Sequence, residues 1–274
     1  LRTRRQRQMC IRDRSTVTAA RILDGQQRGL HGEENSLSFD RFPYTAMSKT
    51  YNVNAQTPDS AGTMTAMVTG VKTNAGVISV DQHAAPGECN TSNDHDLISI
   101  LELAEIAGKS TGIVSTARIT HATPAATYAK SPLRHWEGVS TMPIEARNAG
   151  CEDIASQLIS FEQRLKQRFP TANNVDGIEV VMGGGRRHFL PKDASGDEHG
   201  TRDDNRNLVQ EWKAAHPKGK YISHGAELTT TNTNQPSHLL GLFNNSHLDY
   251  DAERDSNENP EPMLAEMTEK AIDK

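Results

Sequence analysis

Apolar residues recur along this chain in two patterns, one with helical spacing and one with the short continuous runs typical of buried strands. A first helical stretch follows Asp96 and ends at Gly108, and the run 110–115 after it predicts a strand. A second stretch ends before Pro170, and the run 178–182 predicts the next strand. The apolar helical positions are Leu97, Ile98, Leu101, Ala104 and Ile106, then Ile154, Leu158, Phe161 and Leu165. This alternation predicts an α/β fold with a largely parallel central sheet covered by helices on both faces.

The remaining segments predict less regular structure. Residues 191–220 are polar and irregular, which indicates a surface loop or an inserted subregion. Residues 237–273 indicate a connecting segment followed by a helix through Met263, Met267 and Ile272. The sequence shows no internal repeat and no clear signal for a domain boundary.

A serine that follows an acidic residue opens a further helical segment. Pro58 favours an extended conformation at residue 57, and Asp59 and Ser60 are both residue types that cap helices. Gly70 can end the helix. The first N–H groups of a helix favour an anion, so the Ser60 hydroxyl is placed where a phosphate could bind. Simple capping is the commoner explanation for an isolated Asp–Ser pair, but the flanking residues favour a nucleophilic role for Ser60.

Four motifs in a fixed order flank and include this serine. They are the approach to it at 42–56, the serine segment at 57–76, the stretch 118–134 and the strand and turn at 181–186. Together they resemble the alkaline phosphatase family, and the resemblance runs from about residue 15 to about residue 274. The family is metal-dependent and hydrolyses phosphate monoesters, so the resemblance implies an alkaline-phosphatase-like fold with two zinc ions and a magnesium ion.

The resemblance also implies a role for five residues. Ser60 would be the nucleophile and a zinc ligand, Arg134 would bind the substrate phosphate, and Asp59 would orient Arg134. Thr123 would contribute its hydroxyl to the magnesium site, and His121 would lie at or near that metal. Because Mg²⁺ prefers oxygen ligands, the imidazole leaves the identity of that metal open. The structural alternatives are a surface salt bridge for Arg134 and a hydrogen-bonded loop position for His121.

Several metal ligands of the family have no counterpart in this sequence. The family takes an Asp from an Asp-Gly-Met-Gly segment just before the stretch matching 15–21, and a different sequence precedes that stretch here. The later ligands lie beyond the segment matching 266–272, and no His here has an Asp four positions before it. The Asp94–His95 pair lies in a polar stretch and is assigned to a helix start. We therefore expect residues 15–274 to be a partial catalytic domain, lacking N-terminal and C-terminal ligand segments.

Residues 1–14 have an unusual composition. They contain six arginines and no apolar segment, which excludes a secretory signal and indicates a non-native leader.

The net charge of the chain is −5, and the leader contributes six positive charges and one negative, so the remainder carries −10. An acidic body argues against a nucleic-acid-binding surface but not against an anionic substrate, because bound divalent cations reverse the local field. No apolar run is long enough to span a bilayer.

Three cysteines are present, and Cys10 belongs to the leader. Cys89 and Cys151 match positions where vertebrate-type family members carry a disulfide. Such a bridge would imply an oxidising compartment, either the periplasm or the extracellular space. Two unpaired, partly buried thiols are the alternative, because spacing alone does not determine a bridge.

Other functions than a phosphomonoesterase have partial support in the sequence. The segment 108–110 ends like a nucleotide-binding P-loop, but Leu103 stands where that pattern needs a glycine. The run 183–185 is typical of a turn, with a backbone nest for an anion as the alternative. A phosphodiesterase or sulfatase of the same superfamily, or an inactive phosphate-binding fragment, remain alternative functions. The expected partners are small-molecule phosphate monoesters and, for the complete protein, a second copy in a homodimer.

Overall fold

The computed structural model describes residues 17–44, 46–91, 94–193, 199–233, 235–254 (backbone alone at 252) and 261–274. The expected leader at 1–14 lies outside these residues. The chain forms two compact units, Leu1–Thr50 and Tyr51–Lys274, although no sequence signal marks a boundary at residue 50.

The first unit contains one α-helix, α1 (17–27), and a 3₁₀ helix at Ser38–Arg41. Arg21 on α1 makes a two-pronged ion pair with Asp40, with its Nη2 3.0 Å from Oδ1 and its Nε 3.1 Å from Oδ2. The Asn35 amide donates to the Asp24 carboxylate at 2.7 Å and to the Arg21 carbonyl at 3.0 Å. Polar contacts therefore connect the helix to the chain that follows it.

The second unit is built on a four-stranded sheet. Its strands are β1 (Gly112–Arg118), β2 (Val180–Gly184), β3 (Lys220–Ile222) and β4 (Leu239–Leu242), in the order β1-β2-β4-β3. All three pairings are parallel. The predicted parallel sheet is confirmed, although both predicted strands begin two residues later than expected.

Helices cover the sheet. They are α2 (Ser60–Thr69), α3 (Ile100–Ile106), α4 (Ala122–Ala125), α5 (Ile144–Asn148), α6 (Ile154–Ile159), α7 (Phe161–Arg168), α8 (Leu208–Ala215), α9 (Gly225–Thr230), α10 (Asp251–Arg254) and α11 (Leu264–Ile272). Short 3₁₀ helices lie at Cys89–Thr91, Val139–Thr141 and Arg186–His188.

Adjacent residues of a strand face opposite sides of the sheet, and the core follows this rule. Val181 belongs to a buried cluster formed with α2, α3, α6, α7 and α8. Its neighbours Val180 and Met182 belong to a second cluster with Leu228 of α9 and Met267 of α11. Both faces of the sheet are therefore covered by helices, as predicted.

The start of α3 differs from the prediction. Ser99 is the N-cap: its hydroxyl accepts from the Glu102 N–H at 3.1 Å, and the Glu102 carboxylate accepts from the Ser99 N–H at 2.7 Å. This capping box fixes the first turn at Ile100. Leu97 instead donates its N–H to the Ser79 carbonyl at 2.9 Å in an extended segment. The assignment of Asp94–His95 to a helix start is therefore wrong.

The second predicted helix is interrupted. Ser160, with φ −86° and ψ 3°, ends α6 and precedes α7. The four apolar positions assigned to one face are nevertheless all buried in the same cluster. The apolar pattern therefore predicted burial correctly but did not predict the break.

Two segments expected to be irregular contain regular structure. The stretch 191–220 contains α8, which buries Leu208, Val209 and Trp212 against the core. The connecting segment after residue 237 contains β4, an interior strand whose four residues are all buried. The helix expected at the end of the chain is confirmed as α11, with Met263 at its N-cap position.

Candidate active site

Ser60 is the first residue of α2, as predicted. Asp59 precedes it in an extended conformation and caps the helix, because its carboxylate accepts from the Gly62 N–H at 2.9 Å. Gly70, with φ 75°, ends the helix. Glycine is required at position 62, because a Cβ there would lie 2.6 Å from the Asn52 amide nitrogen. Ser60 thus sits at a rigid helix N-terminus.

The Asp59 carboxylate accepts four hydrogen bonds. Oδ1 accepts from the Gly62 N–H and from the Asn52 amide at 3.0 Å. Oδ2 accepts from the Gly76 N–H at 3.0 Å and from Arg134 Nη1 at 3.1 Å. Burial alone would raise the pKa of Asp59, but the hydrogen bonds from Gly62, Gly76 and Arg134 and the charge of Arg134 outweigh it and lower the pKa. Asp59 is therefore a fixed anion that positions its partners rather than a free base.

Arg134 is held from two directions. Its backbone N–H donates to the Gly76 carbonyl at 2.8 Å, and its guanidinium pairs with Asp59. The second terminal nitrogen, Nη2, lies 3.2 Å from His121 Nε2. Its side chain is 18% exposed, which argues against a surface salt bridge. The structure thus brings Asp59, Arg134 and His121 together from three separate segments of the chain.

His121 occupies the N-cap position of the short helix α4, which packs against α2. Burial, followed by the positive charges of Arg134 and Arg118, lowers the pKa of His121 to about 4 despite the opposing effect of Glu137. The imidazole is consequently neutral at physiological pH and can accept a hydrogen bond or bind a metal. Thr123 lies two residues further along in α4 and is half-buried.

An ion pair between Arg118 and Glu137, close to His121, was not predicted from the sequence. Glu137 accepts from Arg118 Nε and Nη2, both at 2.7 Å, and from the Thr120 hydroxyl at 2.8 Å. Burial on its own would raise the pKa of Glu137, but the hydrogen bonds from Arg118 and Thr120 contribute to lowering it to about 2. The sequence could have indicated Arg118, because this residue lies at the carboxyl end of β1 and ligands bind at the carboxyl ends of strands in parallel sheets.

His247 is a second residue that the sequence did not indicate. Its ring packs edge-on against His121 with centroids 5.2 Å apart, and its Nε2 lies 2.7 Å from Arg118 Nη1. Burial and the charge of Arg118 lower the pKa of His247. His247 follows β4, a strand that the sequence did not predict. Its position near the carboxyl end of a parallel strand, where ligands bind, was therefore not apparent.

The glycine run at the carboxyl end of β2 leads into a turn and does not form an open anion nest. The Gly185 N–H donates to the carbonyls of Asn244 and Ser246 at 2.9 and 2.8 Å, and the Arg186 N–H donates to the Asn244 carbonyl at 3.0 Å. These two donors face protein carbonyls, so they do not converge on a free anion site. Gly185 has φ 93°, a conformation that favours glycine.

The predicted disulfide is present between Cys89 and Cys151, with a Cα–Cα distance of 5.8 Å. It packs in a small core with Trp136, Met142 and Ala146. Trp136 lies two residues after Arg134, so the bridge belongs to the cluster that anchors the arginine segment.

Comparison with known proteins identifies the family and the fold. A family model described as "Alkaline phosphatase" matches residues 12–274. The chain belongs to the alkaline phosphatase family. It is 46% identical to an alkaline phosphatase of Gadus morhua over 94% of this chain and 53% of the relative. It is 44% identical to the tissue-nonspecific isozyme of Gallus gallus over 94% of this chain and 49% of the relative. The chain thus spans about half the length of the curated relatives it matches.

Solved alkaline phosphatases share the fold. The enzyme of a cold-adapted Shewanella species superimposes with a TM-score of 0.58 at 26% identity, covering 88% of this chain and 45% of that one. The enzyme of the Antarctic bacterium TAB5 gives a TM-score of 0.60 over 88% of this chain and 54% of that one. At 19% identity the latter likeness concerns the fold alone.

The metals implied by the alkaline phosphatase family can be tested against the donors present. Ser60 and Thr123 offer hydroxyl oxygens, and His121 offers an imidazole that is neutral at physiological pH. In the part of the chain that the structure describes, the one group of three metal-binding side chains lies elsewhere, at Asp81, His83 and His95. The residues around Ser60 therefore fit part of a metal site rather than a complete two-zinc site.

Proposed function

We propose that the whole protein hydrolyses phosphate monoesters through a phosphoserine intermediate on Ser60. The observation that carries this proposal is the Asp59–Arg134 ion pair at the N-terminus of α2, directly beside Ser60, in a member of the alkaline phosphatase family. A helix N-terminus and a fixed guanidinium together favour a bound phosphate. The proposed substrates are small-molecule phosphate monoesters.

The reaction has two displacements at phosphorus. In the first, the Ser60 oxygen forms a bond to phosphorus and the substrate alcohol leaves with the electrons of the broken P–O bond and a proton. In the second, water attacks the phosphoserine, releasing inorganic phosphate and restoring the Ser60 hydroxyl. Arg134 uses its planar guanidinium to hold two phosphate oxygens, which a lysine cannot imitate. Asp59 keeps that guanidinium in position.

Two zinc ions and a magnesium ion are the proposed cofactors, and when bound they supply Lewis-acid stabilisation of the serine alkoxide and of the charge on phosphate. Ser60, Thr123 and His121 are the residues of this chain proposed to contact them. A variant of the TAB5 enzyme has been solved with Mg bound in its M3 site. Thr123 suits Mg²⁺ by its oxygen donor, whereas His121 suits a softer metal.

Further proposals concern location and assembly. The disulfide supports a periplasmic or extracellular protein, because such bridges persist in oxidising compartments. Across the described part of the chain, every helix is too short or too polar to cross a bilayer. We also propose a homodimer for the whole protein, on family membership alone.

A comparison of three ester classes tests the proposed activity. The whole gene product should turn over a chromogenic phosphate monoester much faster than the matching phosphodiester or sulfate ester. Preference for the diester or the sulfate would favour the alternative functions within the superfamily. No turnover of any ester, with metals supplied, would favour a phosphate-binding protein and contradict the proposal.

A further inference from the structure

Asp81, His83 and His95 form a side-chain cluster at the surface, and the proposed phosphatase chemistry does not use it. His83 Nδ1 lies 3.2 Å from Asp81 Oδ1, and His95 Nδ1 lies 3.2 Å from Asp81 Oδ2. The two imidazole rings have centroids 5.5 Å apart. One donor atom from each residue lies within 4.8 Å of the other two. Three side chains of types common as metal ligands, two imidazoles and one carboxylate, therefore converge on one point.

The backbone beneath this cluster is well fixed. Val80 pairs with Asp96 in an antiparallel bridge, and the Asp81 N–H donates to the His95 carbonyl at 2.9 Å. Val80 and Ala84 are fully buried, so the segment carrying Asp81 and His83 is anchored from below. The His83 N–H also donates to Asp81 Oδ1 at 2.7 Å. The fold thus brings His95 to Asp81 across fourteen residues of sequence.

We propose that Asp81, His83 and His95 bind a divalent transition metal of the Zn²⁺ class. Two imidazoles and one carboxylate are borderline ligands that suit Zn²⁺, with water completing the coordination. Zinc bond lengths near 2.0–2.1 Å place tetrahedral ligand atoms about 3.3 Å apart, so a small contraction of this cluster suffices. The His83 side chain is 65% exposed and can rotate to achieve it.

The charge state of the cluster agrees with this proposal. Burial on its own would raise the pKa of Asp81, but the His83 N–H and the imidazoles of His95 and His83 lower it, so the carboxylate is anionic at neutral pH. Metal binding through Nδ1 would replace the contacts that each imidazole now makes with the Asp81 carboxylate. The alternative is a hydrogen-bonded trio without metal affinity, and metal titration separates the two.

Such a site would stiffen the chain next to the candidate active site. The Asn74 amide donates to the carbonyl of Gln82, which lies between Asp81 and His83, at 2.9 Å. Two residues after Asn74, the Gly76 N–H donates to Asp59. A metal joining residues 81 and 83 to residue 95 would therefore restrain the segment that helps to hold Asp59. The proposal itself does not rest on the phosphatase activity.

Metal titration of the 274-residue chain tests the proposal. We would measure Zn²⁺ affinity by competition with a chromogenic chelator, in excess Mg²⁺ to occupy oxygen-only sites, and record the visible spectrum of the Co²⁺ form. The matched variants are His83→Ala, His95→Ala and Asp81→Asn. The control is His224→Ala, because His224 is exposed and belongs to no three-residue metal-binding group among the described residues.

We expect one Zn²⁺ equivalent whose affinity falls by more than about 100-fold in each cluster variant, since even residues outside the coordination sphere are worth about 10–100-fold. The tetrahedral Co²⁺ bands should disappear in the same variants and persist in His224→Ala. Circular dichroism shows whether each variant is folded. If the other variants unfold, the test rests on His83→Ala, because the His83 side chain is exposed. Equal zinc affinity and identical Co²⁺ spectra in His83→Ala and wild type would overturn the proposal.

Discussion

At the scale of single residues, the geometry of the candidate site depends on the hydrogen bonds that the Asp59 carboxylate accepts. Four donors surround its carboxylate, and one of them is the guanidinium of Arg134. The sequence identified Asp59, Ser60 and Arg134 because they lie in motifs. It missed Glu137 and His247, because their proximity to Arg118 arises only in the folded chain. Glu137 lies in the loop after α4, and His247 follows β4, which the sequence did not reveal.

Substitution of Arg134 tests its role in phosphate binding. Arg134→Ala should raise KM for a phosphate monoester and weaken inhibition by inorganic phosphate, and Arg134→Lys should restore little of either, because lysine has no planar fork. Charge-assisted hydrogen bonds are worth about 1.5–3 kcal/mol each, so kcat/KM should fall by roughly 10–100-fold or more. Steady-state kinetics of the whole protein would measure this. Full activity in Arg134→Lys would show that charge alone is needed.

At the scale of elements, the sequence predicted those whose apolar pattern is long or bounded by clear signals. The helix Ser60–Thr69, which Gly70 ends, and the strand after Gly108 are examples. Strand β4 was missed, because four apolar residues followed by polar ones also fit an irregular segment. Helix α8 was missed, because polar residues surround its three buried positions and tertiary packing decides its structure.

Glu105 connects three of these elements. It lies on α3, it accepts a hydrogen bond from the Thr111 hydroxyl, and it accepts from the Gly177 N–H before β2 at 3.2 Å. Burial, aided by the negative charges of Glu179 and Asp176, raises the pKa of Glu105 to about 7. The folded protein therefore retains a proton on Glu105 that the unfolded chain loses near pH 4.5.

This shift predicts a pH-dependent stability. The contribution of Glu105 should be fully present below about pH 4.5 and lost as pH rises through about 7. Glu105→Gln mimics the protonated side chain, so its free energy of unfolding relative to wild type should increase from pH 4.5 to pH 7 and then level off. Urea unfolding of both proteins at several pH values would measure the difference. A difference that does not vary with pH would contradict the assignment.

At the scale of the whole molecule, the disulfide is the clearest long-range constraint. It joins Cys89 to Cys151, 62 residues apart in sequence, and packs beside Trp136. The resemblance to a family indicated this pairing, whereas spacing alone did not. A closed loop of this length reduces the entropy of the unfolded chain by an amount worth about 4 kcal/mol at 25 °C.

Removal of the bridge should therefore destabilise the protein. The double variant Cys89→Ala and Cys151→Ala should lower the free energy of unfolding by about 2–5 kcal/mol. Urea unfolding under oxidising conditions would measure it, with wild type plus reductant as the control that should behave like the variant. Identical midpoints for oxidised wild type and the double variant would show that the bridge contributes no stability.

The metal content of the whole molecule is a second test at this scale. The described residues bring no group of three His, Cys, Asp or Glu ligands to Ser60, and the chain spans about half the length of its curated relatives. We therefore predict that the 274-residue chain, in a His83→Ala background, binds no stoichiometric pair of zinc ions and has no useful turnover. Elemental analysis and an ester assay beside the whole gene product would test this. Two bound zinc ions with full turnover in the shorter chain would contradict it.

The central claim is that Ser60 carries the phosphoryl group during turnover. The most direct measurement is acid quenching of the whole protein during turnover of a phosphate monoester, followed by mass spectrometry of its peptides. We predict one phosphoserine, at Ser60, and in Ser60→Ala neither that modification nor turnover within several orders of magnitude of wild type. Phosphate on a different residue, or wild-type turnover in Ser60→Ala, would contradict the account.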